Sequence, residues 1–175
     1  DRVITFNGFS KTYAMTGWRL GFALGPKDGI DAMAKIQSQS TSNATTFAQY
    51  GALAAFDLPE GLLAERKEKF DERRGNIVKG LRAIDGVDCA MPKGAFYVFP
   101  DFSSYCGEDG RFEDDFALTE FLLEEAHVAV VPGSAFGAPG HLRFSYATSD
   151  EAIASGLERV TDALGVSTLL ERRPG

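Results

Sequence analysis

Lys11 and Arg19 are the two residues of this 175-residue chain whose types and spacing most readily do chemistry together. Lys11 follows a short run of β-branched and aromatic residues, Val3-Ile-Thr-Phe6. It lies in a stretch punctuated at both ends, by Asn7-Gly8 and by Thr16-Gly17, so it is expected in a loop beyond a strand rather than on a solvated helix face. A lysine amine held neutral by its surroundings attacks an aldehyde to form a Schiff base. Arg19 stands at the start of a second apolar run, Leu20 to Leu24, where its planar fork could clamp a phosphate. A lysine and an arginine converging from neighbouring strand ends are what a phosphorylated aldehyde needs. On spacing alone, two surface cations flanking a turn is the plainer reading.

The elements that must position these residues alternate between strand and helix. Val3–Phe6 reads as a strand and Leu20–Leu24 as a second, buried one, closed by Gly25-Pro26. A helix is expected from Pro26 to about Gln37, with Ile30, Met33, Ala34 and Ile36 on its apolar side. An uncharged polar loop, Ser38 to Thr45, separates it from a helix over 46–56 that Pro59 ends. Residues 60–83 read as one long amphipathic helix, with Leu62, Leu63, Phe70, Ile77, Val78 and Leu81 as its apolar positions. Beyond it a strand pair is expected over 87–90 and 95–99, turning at Met91-Pro-Lys-Gly94. A helix over 113–126 follows, with Phe116, Leu118, Phe121 and Leu122 inward. Strands are expected at 128–131 and 142–146, around a Gly- and Pro-rich loop at 132–140. Ser149 is a natural N-cap for a last helix ending near Leu164-Gly165, and Glu171–Gly175 reads as a frayed end. Residues 1–58 thus read as the end of an α/β sheet domain and residues 85–175 as a small α+β domain, joined by a long helix over 59–84.

Composition narrows the function. With 18 Lys and Arg against 25 Asp and Glu the net charge is −7, which argues against an electrostatically driven nucleic-acid binder. No apolar run is long enough to span a bilayer. Two cysteines, Cys89 and Cys106, are too few for a disulfide framework, and reduced thiols in a cytoplasmic protein are expected. Carboxylates near Cys106 disfavour its thiolate. His127 and His141 lack metal-ligand spacing and read as surface or edge histidines, so no metal is expected. Gly133-Ser-Ala-Phe-Gly137 lacks the pattern of a nucleophile elbow. Trp18 is expected to pack in the core.

The string Asn7-Gly-Phe-Ser-Lys-Thr-Tyr-Ala-Met-Thr-Gly-Trp-Arg-Leu-Gly21 closely resembles the cofactor-lysine segment of class I/II aminotransferases, fold-type I enzymes that use pyridoxal phosphate. The likeness is to the bacterial aspartate aminotransferase branch. It continues in family order through Gly25-Pro-Lys27, Ser38 to Thr45, Gly94-Ala-Phe-Tyr-Val98, Val128 to Gly133 and Arg143-Phe-Ser-Tyr-Ala-Thr148. The resemblance implies the C-terminal part of a large cofactor-binding domain, then a small α+β domain. It implies that Lys11 carries the cofactor as a Schiff base and, once displaced by the substrate amine, moves the proton of the substrate α-carbon. Arg19 would hold the cofactor phosphate. Ser10 would add its hydroxyl, although relatives carry that serine three residues before the lysine, where this chain has Gly8. Arg143 would grip the substrate α-carboxylate, which a planar fork matches; the alternative is a structural ion pair. Phe96 and Tyr97 either line the substrate pocket or alternate in and out of a strand.

The resemblance further implies an amino group moved between an amino acid, aspartate above all, and a 2-oxo acid, in a homodimer whose 38–45 loop crosses to the partner's site. No arginine lies between Arg19 and Arg66, so the arginine that some relatives place there for a side-chain carboxylate is absent. Three family parts lie N-terminal to the lysine: a carboxylate for the pyridine nitrogen, a stacking aromatic ring and a glycine-rich phosphate turn. Only ten residues precede Lys11, so the chain is expected to be the C-terminal half of a longer protein. A free-standing non-catalytic interaction module and a lyase or decarboxylase on the same fold are the alternatives.

Overall fold

The computed structural model describes residues 2–165, and the frayed end expected at Glu171–Gly175 lies outside them. The chain forms two units, Asp1–Arg66 and Lys67–Gly175, each described by itself. The first holds β1 (Thr5–Gly8), α1 (Phe9–Thr12), a 3-10 turn (Thr16–Trp18), β2 (Gly21–Leu24), α2 (Lys27–Ser40) and α3 (Thr46–Phe56). Helix α4 (Glu60–Arg82) runs from the first unit into the second. The second unit continues with β3 (Tyr97–Val98), α5 (Asp115–Glu124), β4 (Val131–Pro132), β5 (Leu142–Ser145) and α6 (Asp150–Leu164).

In the first unit β1 and β2 pair antiparallel from Thr5↔Leu24 to Gly8↔Gly21. β1 therefore starts two residues later than β-propensity places it, because the ladder needs partners and β2 ends at Leu24, the partner of Thr5. The strand expected to be buried at 20–24 forms, but Phe22 and Leu24 stay exposed. Among the described residues the ribbon has only two strands, so no third strand extends it. The apolar side expected for α2 is also reduced. Ile30 and Met33 are half-buried, whereas Ala34 and Ile36 face out, and the helix runs three residues into the expected polar loop. On α3 the buried stripe is Ala48, Ala52 and Ala55, at i, i+4, i+7 spacing. These small residues admit Phe9, which forms the unit's small core with Ala52 and Ala55. Phe47, Tyr50 and Leu53 of the same helix are exposed at 74%, 70% and 61%. Trp18 is not a core residue as expected: it is 44% exposed, with one ring edge against Gly51, where a Cβ would come within 2.3 Å.

The second unit carries the larger core. Ile77, Val78 and Leu81 of α4 are buried with Leu118 and Leu122 of α5, Leu142 and Phe144 of β5, and Ile153, Val160 and Leu164 of α6. Each such side chain contributes about 1.5–3 kcal/mol through burial. The sheet order is β3-β5-β4, with both pairs antiparallel. The expected strand pair 87–90 with 95–99 does not form. Tyr146 takes the carbonyls that such a pair would use: its amide donates to Phe96 and its hydroxyl to Ala95, both at 2.9 Å. Tyr97 and Val98 accordingly pair with β5, and Asp88 exchanges backbone hydrogen bonds with Asp101 instead. The strand expected at 128–131 is reduced to Val131-Pro132, because the Val128 amide donates back to Leu122 as the chain leaves α5. On α5, Phe116 faces solvent and Asp115 holds the inward position, on one stripe with Leu118 and Leu122. Helix α6 starts as read: the Ser149 hydroxyl accepts from the Ala152 amide at 3.2 Å, and Gly165 turns left-handed after its last turn.

Candidate active site

In the first unit the register of one ribbon brings three of the candidate residues to one end. Gly8↔Gly21 is the last pair of the β1–β2 ladder, and the Phe9 amide extends it with a 3.1 Å bond to the Leu20 carbonyl. Ser10 and Lys11 follow directly, and Arg19 directly precedes, so all three stand at the same end of the ribbon. Lys11 is not in a loop as expected but in α1, a single helical turn that packs against the 3-10 turn. The turn arises because Gly8 leaves the strand extended and the Tyr13 and Met15 amides both fold back on the Phe9 carbonyl. Lys11 and Arg19 are exposed and Ser10 is half-buried. The Arg19 guanidinium donates one bond, 3.0 Å, to the Thr16 carbonyl. That bond uses Nη1 and leaves the other guanidinium N–H groups for an anion.

The backbone here is strained. Ala14 and Arg19 both take left-handed conformations, at φ 55° and φ 53°. A non-glycine residue there costs on the order of 1–3 kcal/mol, and such cost concentrates at functional segments. Thr16-Gly17, expected to punctuate the end of the loop, lies inside the 3-10 turn, and the left-handed residues are Ala14 before it and Arg19 after it.

In the second unit the candidate is Arg143. Strand β5 alternates strictly: Leu142, Phe144 and Tyr146 point into the core, and Arg143 and Ser145 point away. Arg143 pairs with Val131 on one side, while its strand neighbour Ser145 pairs with Tyr97 on the other. Its guanidinium lies over the Tyr97 ring at 4.5 Å and over the Phe136 ring at 4.8 Å. The alternative of a structural ion pair is not what forms: among the described residues Arg143 belongs to no ion pair. Two aromatic faces hold the cation flat without spending its N–H donors, which leaves the edge of the fork for a planar carboxylate. Tyr97 thus contacts the candidate arginine, and Val98 is its inward-facing neighbour.

Sequence reading missed Phe136 and Asp115. Phe136 closes the 3-10 turn Gly133–Phe136 inside the stretch read as plain loop. Asp115 is 1% exposed and accepts from the Ser134 amide at 2.7 Å and the Ser134 hydroxyl at 2.6 Å. Burial pushes its carboxyl up, but the Ser134 hydroxyl and amide, with backbone donors, outweigh it, and the carboxyl lies below the usual range. The one available signal was an aspartate on the apolar stripe of α5.

Cys106 is held in its thiol form. Burial, then Asp115, Asp114 and Asp101, push its thiol up to about 11. The thiol form is therefore the one present at neutral pH, and the thiolate appears only as pH rises toward that value. Alkylation of Cys106 by iodoacetamide at pH 8, followed by mass spectrometry, is expected to run about a hundredfold slower than that of a free cysteine. His141 stacks on Phe99 at 5.2 Å with Nδ1 3.3 Å from the Pro139 carbonyl, an edge position as read.

The family Aminotransferase class I and II matches residues 1–160 of this sequence. The chain belongs to that family. It is 51% identical over 162 residues to a probable aspartate/prephenate aminotransferase of Aquifex aeolicus, covering 91% of this chain and 40% of that protein. It is 48% identical over 167 residues to an aspartate aminotransferase of Rhizobium meliloti, covering 93% and 41%. The crystal structure of the aspartate aminotransferase from Rhizobium meliloti superposes with a TM-score of 0.87 at 47% identity, over 94% of this chain and 42% of that one. The mixed α/β fold is therefore that of these aminotransferases in part, and the chain spans about 40% of the length of these relatives. Among the described residues no helix is long and apolar enough to cross a membrane.

Proposed function

We propose that this chain is the C-terminal part of a pyridoxal-phosphate-dependent aminotransferase that moves an amino group between an amino acid, aspartate first, and a 2-oxo acid. The observation that carries the reading is the Gly8↔Gly21 register, which delivers Lys11 and Arg19 to one ribbon end in a chain whose relatives are named aspartate or aspartate/prephenate aminotransferases. A primary amine, a guanidinium with a free edge and an adjacent hydroxyl form a donor set that fits a phosphorylated aldehyde. When bound, pyridoxal phosphate supplies the aldehyde and a conjugated ring that takes up the electron pair left by the departing α-proton. Arg19, with Ser10, holds the phosphate. Lys11 Nζ takes and returns a proton at the substrate α-carbon. Arg143, its guanidinium over the Tyr97 and Phe136 rings, grips and orients the substrate α-carboxylate.

The proposal assigns residues 1–58 to the end of the cofactor domain, 59–84 to a connecting helix and 85–175 to the small domain. The carboxylate for the ring nitrogen, the stacking ring and the glycine-rich turn belong to the N-terminal half. A cytoplasmic homodimer completes the reading, its association, not its location, supported by the exposed apolar residues Phe47, Tyr50 and Leu53. The test is borohydride reduction of the full-length protein with pyridoxal phosphate, followed by peptide mapping. The expected result is one reduced pyridoxyl adduct, on Lys11. An adduct spread over surface lysines, or none, overturns the reading.

A further inference from the structure

We propose that Asp115 is a positioning residue for Arg143, acting through Ser134 and Phe136 to set the plane of the guanidinium. The inference rests on the reading above for what Arg143 grips. Asp115 occupies an inward position on α5 beside Leu118 and Leu122, where packing alone favours an apolar side chain. A charge so buried is tolerated only if its oxygens are well satisfied. Both oxygens go to a single residue: Ser134 donates its amide to Oδ2 and its hydroxyl to Oδ1. The carboxylate therefore braces the start of the 133–140 loop at Ser134.

The loop is closed tightly around that brace. The Gly133 amide donates to the His141 carbonyl at 2.7 Å, and the Ala138 amide donates to the Gly133 carbonyl at 3.0 Å. A Cβ at Gly133 would lie 2.2 Å from the Ala138 oxygen, so the crossing admits only glycine. Ser134 and Phe136 share one 3-10 turn, and fixing the serine therefore fixes the ring. Phe136 is 51% exposed, so burial does little to hold it. Its side-chain ring contacts are the Arg143 guanidinium at 4.8 Å and the Phe99 edge at 6.0 Å. Without the Asp115 brace the Phe136 ring swings away, and Arg143 keeps only Tyr97. A cation stacked on one face samples many tilts, and the bidentate grip on a planar carboxylate weakens.

The experiment combines kinetics with hydrogen exchange in the full-length protein. Asp115→Ala is expected to raise KM for both amino acid and oxo acid about tenfold, with kcat within about threefold. Asp115→Asn retains an oxygen for the Ser134 amide and an N–H for its hydroxyl, and is expected to stay within about threefold of the parent. Phe136→Leu is expected to reproduce the Asp115→Ala effect, and the double variant to be no worse than Phe136→Leu alone. By mass spectrometry, exchange across 133–140 is expected to rise at least about tenfold in Asp115→Ala, with residues 118–124 unchanged. Multiplicative kinetic effects, or equal loss of protection in α5, overturn the proposal. If Asp115→Ala does not fold, Ser134→Ala takes its place in the same cycle and the same outcomes decide. The reading beneath it fails separately: Arg143→Gln with unchanged KM overturns the carboxylate grip, whatever the exchange data say about Asp115.

Discussion

Lys11→Ala in the full-length protein is expected to abolish transamination, with turnover falling by on the order of ten-thousandfold or more. The magnitude follows from the two tasks given to one amine. General acid–base catalysis alone is worth about a hundred- to ten-thousandfold, and loss of a nucleophile removes a covalent route besides. Lys11→Arg is expected to be equally inactive, since a guanidinium keeps the charge but stays protonated and cannot act as nucleophile or base. Steady-state turnover with aspartate and 2-oxoglutarate measures the loss. Equilibrium dialysis with pyridoxal phosphate separates it from loss of binding: retained affinity through Arg19 with no turnover is the expected pattern. Activity above about one hundredth of the parent in either variant would remove Lys11 from the chemistry.

Arg143→Gln is expected to lower kcat/KM by on the order of thirty- to several-thousand-fold, the equivalent of about 2–5 kcal/mol for truncating one partner of a desolvated charge pair. Both parameters should move. KM rises because the carboxylate loses its fork, and kcat falls because orientation of the Cα–H bond is lost with it. Arg143→Lys is expected to recover little, because a point charge neither stacks on Tyr97 and Phe136 nor offers two parallel donors. Comparing aspartate with its α-carboxamide gives the decisive reading. The parent should prefer the carboxylate strongly, and Arg143→Gln should discriminate little between them. A variant that kept the preference would place the carboxylate elsewhere.

The long elements were legible because their signals are local. Helices α3, α4 and α6 appear where periodicity, Pro59, Ser149 and Gly165 put them. The short strands were not. Two residues of β3 and two of β4 exist only because β5 lies between them, and Tyr146 decides which carbonyls remain to pair. The same holds for buried faces. Phe22, Ile36 and Phe116 read as inward by type, but burial depends on whether another surface covers them, which no window of sequence contains.

By itself the sequence singled out Lys11, Arg19 and Arg143 as candidates and pointed to the family that matches residues 1–160, because residue type and order along the chain carry that information directly. Only the tertiary structure decided how those residues are held. The left-handed backbone at Ala14 and Arg19 falls on residues whose types give no warning of it. The two rings that contact Arg143 come from distant segments of the chain, and Asp115, buried against Ser134, is an aspartate that composition cannot distinguish from a solvated one. Hydrogen bonding and hydrophobic periodicity act between neighbours in sequence, whereas stacking and the satisfaction of a buried charge act between neighbours in space.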